Sequence, residues 1–427
     1  MKKYLTNKYT ILIACLFICH IFFSFYNLEK WASFHWDQID NAWASARIIL
    51  AHKYPLVGMV AKANSGIYIG PLYYYLTALF YSITRLDPIA SPLLASFTTV
   101  FSFVTVALVT RRLFNEKIAL LSCFIYTFSS YITGFERSQW PVNFIAPISL
   151  LIFYYIYKVI TEGKPKYFIY LSLLLGLSFQ IHFTSIFYPL IVFLCFPFFP
   201  RNKKTILFVA ASIAIIVVSL MPQIVYYTQA NSHNANSIGS YFHTFYHGFH
   251  LRRFLQLAPD AFIKFVSILN TPYEFLRSSA FLFIPVFMFL YLHEHIDKKR
   301  MKLCYLLFLW IIVPWVIFST YKGELSDYYF TLQMYTDIFV LAYISIWIWE
   351  QKFIVGKIFI AGFWIYFGIT NTQKFFRTEN GNLITDRPLV KQAVEVGRQI
   401  GFTDGDPQSY LYFYYFYTLK GKMPYKL

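Results

Sequence analysis

The chain has 427 residues, of which 58% are apolar and 13% charged, and its 48 Phe and 36 Tyr give it more apolar surface than one water-soluble core can bury. This composition excludes a soluble globular protein and predicts an all-α polytopic membrane protein. A net charge of +17 would suggest nucleic-acid binding in a soluble chain. In a membrane protein, however, Lys and Arg collect in cytoplasmic loops, so we expect membrane lipid and no nucleic acid as a partner.

The first apolar stretch runs from Tyr9 to Asn27 and is long enough to serve as an uncleaved first span. The next apolar segment, 67–83, fits either a span or a helix that lies along the membrane surface. With the surface-lying interpretation, the short cytoplasmic loops carry 13 Lys and Arg, whereas the short external loops carry only Arg137 and Lys322. The positive-inside rule therefore favours the surface-lying interpretation.

The pattern then predicts about eleven transmembrane helices in a plasma or inner membrane, with the N-terminus in the cytoplasm and the C-terminus and active site outside. The fifth and sixth are short enough to form a helical hairpin with Gln180-Ile181-His182 at its tip. The predicted spans are 9–27, 89–110, 118–134, 143–160, 168–181, 183–199, 206–227, 278–296, 303–319, 331–349 and 353–370.

This topology divides the chain into a membrane domain, 1–370, and a small extracytoplasmic C-terminal segment, 371–427. The membrane domain includes an external first loop with interfacial helices, 28–88, and a second external loop, 228–277. The first loop is the richest in ionisable residues, which alternate with tryptophans and a Tyr-rich segment suited to the headgroup depth of the membrane. We therefore expect the active site beside the first loop.

Six stretches occur in a definite order and on definite sides of the predicted membrane. They are DQIDNAWASARIIL (37–50), GPLYYYL (70–76), RRLF (111–114), SQWPVN (138–143), GLSFQIHFTS (176–185) and DYYFTL (327–332). Together they resemble the GT-C polyprenyl-phosphate-sugar glycosyltransferases, most closely the branch of protein O-mannosyltransferases and aminoarabinose transferases. The resemblance implies a GT-C-like fold and a hexosyl- or pentosyltransferase that uses a polyprenyl-phosphate-sugar donor.

Two positions depart from the family pattern. Ile69-Gly70 precede Pro71, where family members often have Glu-Lys, so an expected carboxylate or phosphate-binding Lys is absent. Asp37-Gln38 stand where Asp-Glu often opens the first motif. Asp37 is therefore the first match for the catalytic carboxylate, with Asp40 as a substitute.

The chemistry of glycosyl transfer explains carboxylates at this position. An acceptor hydroxyl that attacks the anomeric carbon needs one general base near the membrane surface, and phosphate leaves without a second carboxylic acid. Positive charge must surround the departing phosphate, and Arg, Lys or a divalent metal ion can supply it. A divalent metal is therefore a possible cofactor. The external candidates for substrate binding are Lys62, Arg137, His182, Arg252, Arg253 and Tyr328.

Each candidate has a structural alternative. Asp37 and Asp40 would also suit the N-cap of a helix starting near Asn41, and capping suits Asp40 better. Glu136 and Arg137 would form a helix-end ion pair, and His182 would be a hydrogen-bonded structural residue. The stretch HTFYHGFH (243–250) has histidines at helical spacing but neither an HExxH motif nor a nearby carboxylate, which argues against zinc.

We therefore predict an inverting membrane glycosyltransferase that transfers a sugar to a lipid, glycan or protein acceptor on the extracytoplasmic face. The alternatives are a transporter or flippase of a lipid-linked substrate and a polysaccharide polymerase. A transporter should place ionisable residues near the middle of its spans, and Asp337 is nearly the only such residue in the predicted spans.

Overall fold

The computed structural model describes residues 8–61, 65–229, 233–246, 248–270, 279–378 and 381–427. Lys62, one of the predicted phosphate ligands, lies outside the described residues. In the first part of the chain the helices are α1 Lys8–Phe25, α2 Leu28–Trp31, α3 Trp36–Ala51, α4 Leu72–Ile83, α5 Ala90–Leu113, α6 Glu116–Phe128, α7 Ser130–Glu136, α8 Val142–Glu162, α9 Tyr167–Ile181, α10 Phe187–Leu194 and α11 Lys203–Gln229.

The later part continues with short helices and then long apolar ones. These are α12 His233–Phe245, α13 Leu251–Gln256, α14 Ala258–Ala261, α15 Ile263–Leu269, α16 Phe283–Glu294, α17 Lys298–Ser319, α18 Met334–Glu350, α19 Ile354–Arg377, α20 Leu383–Glu395 and α21 Pro407–Lys420. Four 3₁₀ turns join them, Phe183–Ile186, Phe196–Phe198, Ala280–Leu282 and Asp327–Gln333.

The predicted all-α, multi-pass architecture is confirmed. Within the described residues, seven helical units are long and apolar enough to cross a membrane: α1, α5, α8, α11, α17, α19, and the unit Asp327–Glu350 that ends in α18. Three shorter apolar units, Tyr167–Ile181, Phe183–Leu194 and Ala280–Glu294, match further predicted spans. The count of eleven remains a prediction, because length and composition alone do not show which of the short units cross.

The third predicted span, 118–134, is broken. Its two halves, α6 and α7, meet at an angle of 63°. Ser129 has extended backbone at the break and caps α7 by accepting a hydrogen bond from the N–H of Ile132, and the N–H of Ser130 donates to Asn371 Oδ1 over 2.9 Å. Side-chain oxygens thus accept hydrogen bonds from the backbone N–H groups that the break leaves without helical partners. The apolar pattern of the sequence alone does not reveal such a break.

Helix α4 corresponds to the ambiguous segment 67–83. It has 12 residues, which is a length of roughly 18 Å against the roughly 30 Å of hydrocarbon that a span must cross. It packs against α3 and α5. A helix of this length agrees with the interpretation that the segment lies along the surface.

The C-terminal segment packs on the first loop. Buried apolar side chains of α20 and α21, including Val390, Tyr410 and Phe413, form one cluster with Ile39 and Trp43 of α3. Helix α20 begins at Leu383 and ends at Glu395, before a left-handed glycine at position 397. The first loop and the end of the chain therefore lie on the same side of the helix bundle.

Candidate active site

Asp37 and Asp40 lie inside α3, at its N-terminal end. The helix begins at Trp36, and the backbone N–H of His35 donates to Gln38 Oε1 over 3.1 Å. The alternative that Asp40 caps a helix starting near Asn41 is therefore wrong, because the helix starts five residues earlier and neither carboxylate occupies its N-cap position. Residues three apart share a helical face, so both carboxylates lie on one side of α3.

The two carboxylates differ in their partners. Asp40 Oδ2 accepts a hydrogen bond of 2.5 Å from the hydroxyl of Tyr74 in α4. Among the described residues, no donor forms a hydrogen bond to the Asp37 carboxylate, and Asp37 is only partly buried. Asp37 is therefore free to accept a proton from a substrate, whereas Asp40 is held by the protein.

The electrostatic environment raises the pKa of both acids. Burial raises the pKa of Asp37, and the neighbouring charge of Asp40 raises it further. Burial also raises the pKa of Asp40, and this effect is opposed by the hydrogen bond from Tyr74 and by the positive charge of Arg47. A raised pKa makes Asp37 a stronger base than an ordinary aspartate, which suits proton abstraction near neutral pH.

Gln139 joins the segments around the carboxylates. Its carbonyl oxygen accepts a 2.6 Å bond from Gln38 Nε2, its own Nε2 donates to the Tyr73 hydroxyl over 2.7 Å, and its Oε1 accepts from Ser91 over 3.1 Å. The charge of Asp37 lies close enough to Tyr73 to add to the rise in pKa that burial causes there. The SQWPVN stretch therefore packs against α3 and α4 beside Asp37, although sequence reasoning named only the neighbouring Arg137 as a candidate.

An aromatic wall continues from this stretch. The rings of Trp140 and Tyr328 are 5.4 Å apart, and those of Tyr328 and His182 are 6.1 Å apart. His182 Nδ1 accepts a hydrogen bond from the Thr184 backbone N–H over 3.3 Å and lies 2.9 Å from the Thr184 hydroxyl, so this nitrogen is engaged within its own turn. Two predicted substrate-binding residues, His182 and Tyr328, thus lie together beside the motif that packs against α3.

Lys264 was missed by sequence reasoning. It is fully buried, donates to the Tyr131 hydroxyl over 2.7 Å, and lies 3.6 Å from Asp327 Oδ2. Burial lowers its pKa to about 8, although the charge of Asp327 opposes the shift. The available signal was a single charged residue in the stretch 261–269, whose other residues are apolar except for Ser267, because a buried Lys needs a partner.

Arg137 occupies a structural position. It is 3% exposed, donates to the backbone carbonyl oxygens of Phe23 (3.0 Å) and Tyr26, and lies 4.7 Å from the centre of the Trp31 ring. Arg137 therefore supplies hydrogen-bond donors to backbone carbonyl groups at the C-terminal end of α1 that have no helical partner. This placement favours a structural role over the predicted phosphate contact.

The predicted ion pair between Glu136 and Arg137 is wrong. Glu136 is buried and accepts hydrogen bonds from the hydroxyls of Tyr126 and Tyr335 instead. Two tyrosine donors satisfy the carboxylate without a cation.

Arg252 and Arg253 lie in α13, which packs on α17. Arg252 is exposed, and Arg253 donates to the Gly323 carbonyl over 3.4 Å. No contact in the described part of the chain joins either arginine to Asp37. Their roles as phosphate ligands remain proposals, as does that of Lys62.

Comparison with known proteins identifies the fold. Residues 69–226 match the family described as Dolichyl-phosphate-mannose-protein mannosyltransferase. The crystal structure of ArnT from Cupriavidus metallidurans bound to undecaprenyl phosphate has a TM-score of 0.56 at 11% identity, over 95% of this chain and 75% of that chain. The chain has the GT-C fold. The resemblance inferred from the sequence is thereby confirmed.

Two further GT-C structures agree. The oligosaccharyltransferase of Archaeoglobus fulgidus in the apo form has a TM-score of 0.56 at 12% identity, over 95% of this chain and 61% of that chain. The AglB oligosaccharyltransferase of the same organism, in complex with an inhibitory peptide and a dolichol-phosphate, has a TM-score of 0.54 at 11% identity, over 99% of this chain and 64% of that chain. No curated protein sequence matches the chain.

The GT-C fold explains one departure from the family pattern. Gly70 stands where family members often carry a Lys, and any side chain there would collide with the amide group of Gln180. Gln180 is fixed by 2.6 and 2.7 Å bonds from its Nε2 to the Ser219 carbonyl and Gln223 Oε1. Gln180, at the C-terminal end of α9, therefore occupies the space next to Pro71.

The C-terminal segment reaches the carboxylates of α3. Asp404 lies close enough to Asp40 for its charge to contribute to the raised pKa of Asp40, and the rings of Phe402 and Trp43 are 5.4 Å apart. Gly405 has a positive φ of 73°, and a side chain there would press into the Trp36 ring. The loop between α20 and α21 therefore forms one edge of the site.

In the described part of the chain no three His, Cys, Asp or Glu residues are grouped to hold an ion, and His247 of the HTFYHGFH stretch lies outside that part. A divalent cation that arrived with the donor phosphate would find the carboxylates of Asp37 and Asp40, which are oxygen ligands of the kind Mg²⁺ prefers.

Proposed function

We propose that the protein transfers a sugar from a polyprenyl-phosphate donor to an acceptor hydroxyl, with inversion at the anomeric carbon and with Asp37 as the general base. The observation that carries the proposal is the contrast between the two carboxylates of α3. Asp40 is held by Tyr74, whereas the carboxylate of Asp37 accepts no hydrogen bond from the described residues and has a pKa raised by burial and by Asp40. The GT-C fold and the match over 69–226 support the donor class.

The reaction is a single displacement. The acceptor oxygen forms a bond to the anomeric carbon, its proton passes to Asp37, and the bond from the anomeric carbon to the phosphate oxygen breaks with its electron pair on the polyprenyl phosphate. Attack opposite the leaving group inverts the configuration. Phosphate is a good leaving group, so one carboxylate suffices, unlike in glycoside hydrolases.

The aromatic wall would bind the sugar. Tyr328 and Trp140 offer ring faces, and His182 offers its Nε2, since Thr184 engages the Nδ1 of the same ring. Sugar rings carry hydroxyl groups around an apolar face, which such a wall can contact by hydrogen bonds and by packing. The positive charge for the leaving phosphate would come from Lys62, Arg252 or Arg253, or from a divalent cation.

The location of the reaction follows from the charge pattern. The first loop, the C-terminal segment and the site lie on one side of the bundle, and the Lys- and Arg-rich short loops predict that the opposite side is cytoplasmic. We therefore place the site on the extracytoplasmic face of a plasma or inner membrane. The membrane domain, 1–370, would carry the catalytic residues, and the segment 371–427 would complete the site through Asp404.

A donor panel tests the proposal. Purified protein would be incubated with polyprenyl-phosphate sugars that differ in the sugar, with and without EDTA, and release of polyprenyl phosphate would be followed by mass spectrometry. We expect one sugar class to be consumed, with an inverted anomeric bond in the product by NMR. Growth of a long chain from one acceptor would instead indicate a polymerase. If no donor is consumed but a fluorescent donor crosses proteoliposome membranes, the protein is a flippase.

A further inference from the structure

A second polar pocket lies at the end of the bundle opposite Asp37. It is formed by Arg112 at the end of α5, Lys158 at the end of α8, Lys166 just before α9, and four tyrosines of α8 and α9. Helix α5 has 24 residues, a length of roughly 36 Å, and its first residue, Ala90, packs in the first-loop cluster. The pocket is therefore separated from the active site by the thickness of the membrane domain.

The three cations gather around two aromatic rings. Arg112 lies 5.9 Å from the centre of the Tyr154 ring, and Lys158 lies 5.8 Å from the same centre. Lys158 and Lys166 lie 5.4 and 5.6 Å from the centre of the Tyr167 ring. Like charges held around shared rings repel one another, and this repulsion favours an anion between them.

The protein supplies little negative charge here. Glu162 pairs with Lys158 and with Lys164 (3.1 Å) and also accepts a 2.7 Å bond from the Tyr167 hydroxyl. Within the described residues, no carboxylate lies within ion-pair distance of Arg112 or Lys166, and none lines the pocket. Arg112, Lys166 and the hydroxyls of the pocket tyrosines other than Tyr167 therefore remain available to a ligand.

The surroundings of the pocket indicate a ligand that comes from the membrane. Tyr170, in the pocket wall, is 45% exposed and Leu173, one turn further along α9, is 53% exposed. Below the pocket, α9 thus presents apolar surface that acyl chains would cover, while tyrosines lie at the level of the headgroups. A ligand with a charged phosphate and apolar chains satisfies both surfaces.

We infer that this pocket binds the phosphate of an anionic phospholipid from the leaflet opposite the active site. Arg112 would bind the phosphate through its planar guanidinium group, Lys166 would add a second charge, and the tyrosine hydroxyls would donate hydrogen bonds. The positive-inside rule alone explains Lys and Arg on this face, but it does not require a concave site with two cations unpaired within the described residues. The site is independent of the sugar-transfer proposal.

Thermal unfolding with added lipid tests the site. The full-length protein in a neutral detergent would be titrated with phosphatidylglycerol, and with phosphatidylcholine of the same acyl chains. The double variant R112Q/K166Q removes the two unpaired cations. The matched control, K203Q/K204Q, removes two exposed cations from the same face at the start of α11, so both variants lose the same charge.

We expect phosphatidylglycerol at about ten times its Kd to raise the Tm of the wild-type protein and of the control by about 1–2 °C more than phosphatidylcholine does. R112Q/K166Q should lose this difference. The inference is overturned if both variants keep it or both lose it equally, because attraction would then be non-specific. It is also overturned if free glycerol phosphate stabilises the wild-type protein as well as the lipid does, since the ligand would then not be a lipid.

Discussion

Asp40 lies one helical turn from Asp37, accepts the hydroxyl of Tyr74, and contributes to the raised pKa of Asp37. The two acids therefore have separate roles, one as proton acceptor and the other as a fixed neighbouring charge. Burial is the larger cause of the raised pKa of Asp37, and the charge of Asp40 is the smaller one. Only the second cause can be removed by a single isosteric substitution.

The substitution Asp40→Asn should move the acid limb of the kcat/KM profile to lower pH. Loss of the neighbouring negative charge lowers the pKa of Asp37, so Asp37 stays deprotonated, and active as a base, in more acidic solution. The profile would be measured with the donor identified by the panel. Glu395→Gln, which removes an exposed carboxylate of α20, should leave the limb in place. An acid limb that stays fixed or moves to higher pH in D40N would show that Asp37 is not the titrating base.

Sequence reasoning singled out Asp37 because a carboxylate among aromatics at the end of a span is unusual in itself. It could not predict the long-range contacts that assemble the surrounding segments. Gln139 is 101 residues from the Gln38 side chain that it binds, and Lys264 is 133 residues from Tyr131. Such pairs depend on how helices pack, and the local sequence around Gln139 or Lys264 contains no signal for the partner.

At the scale of helices, the C-terminal segment is held by a charged contact as well as by apolar packing. Arg387 of α20 binds both carboxylate oxygens of Asp87 and lies 3.3 Å from Glu29, while the Tyr414 hydroxyl donates to Asp87 over 2.9 Å. The side chains of Arg387 and Asp87 are 14% and 20% exposed. This contact fixes the segment that carries Asp404 to the first loop.

The substitution Arg387→Ala should loosen the C-terminal segment. It leaves Asp87 largely buried without its cation, which typically costs roughly 3–5 kcal/mol for a fully buried pair and less for this partly exposed one. We expect a lower Tm and faster proteolysis between α19 and α21. Lys391→Ala is the control, because Lys391 forms only an exposed pair with Glu395 at 3.9 Å. Equal protease resistance in R387A and K391A would show that apolar packing alone holds the segment.

The positions of helices were more predictable than their ends and breaks. Long apolar stretches such as α5 and α8 begin and end within a few residues of the predicted spans. The sequence did not predict the break at Ser129. A serine that caps a helix cannot be distinguished, in the sequence, from any other serine in an apolar segment. The docking of α20 and α21 onto α3 was also missed, since the segments are more than 330 residues apart.

At the scale of the whole molecule, the charge asymmetry of the short loops predicts which end of the bundle faces the cytoplasm. The fold places the first loop and the C-terminal segment together at one end, and the pocket with Arg112 at the other. Orientation in the membrane is a separate property, which the packing of helices does not decide.

Cysteine labelling tests the orientation. In a background without the five native cysteines, probes at Tyr54 and Val396, which are exposed at 64% and 72%, should react with an impermeant maleimide applied from outside the cell. A probe at the exposed Lys299 should react only after permeabilisation. Labelling of Tyr54 and Val396 from opposite sides would contradict the shared face of the first loop and the C-terminal segment.

The central claim is that Asp37 takes the proton of the acceptor beside a lipid-anchored donor. The substitution Asp37→Asn keeps the size of the side chain but removes the base, so the claim is tested by comparing turnover and donor binding in D37N and wild-type protein. The predicted result is a fall in turnover of about 10²- to 10⁴-fold, larger than that in D40N, with donor affinity largely retained. Wild-type turnover in D37N, or a fall explained entirely by lost donor binding, would contradict the account.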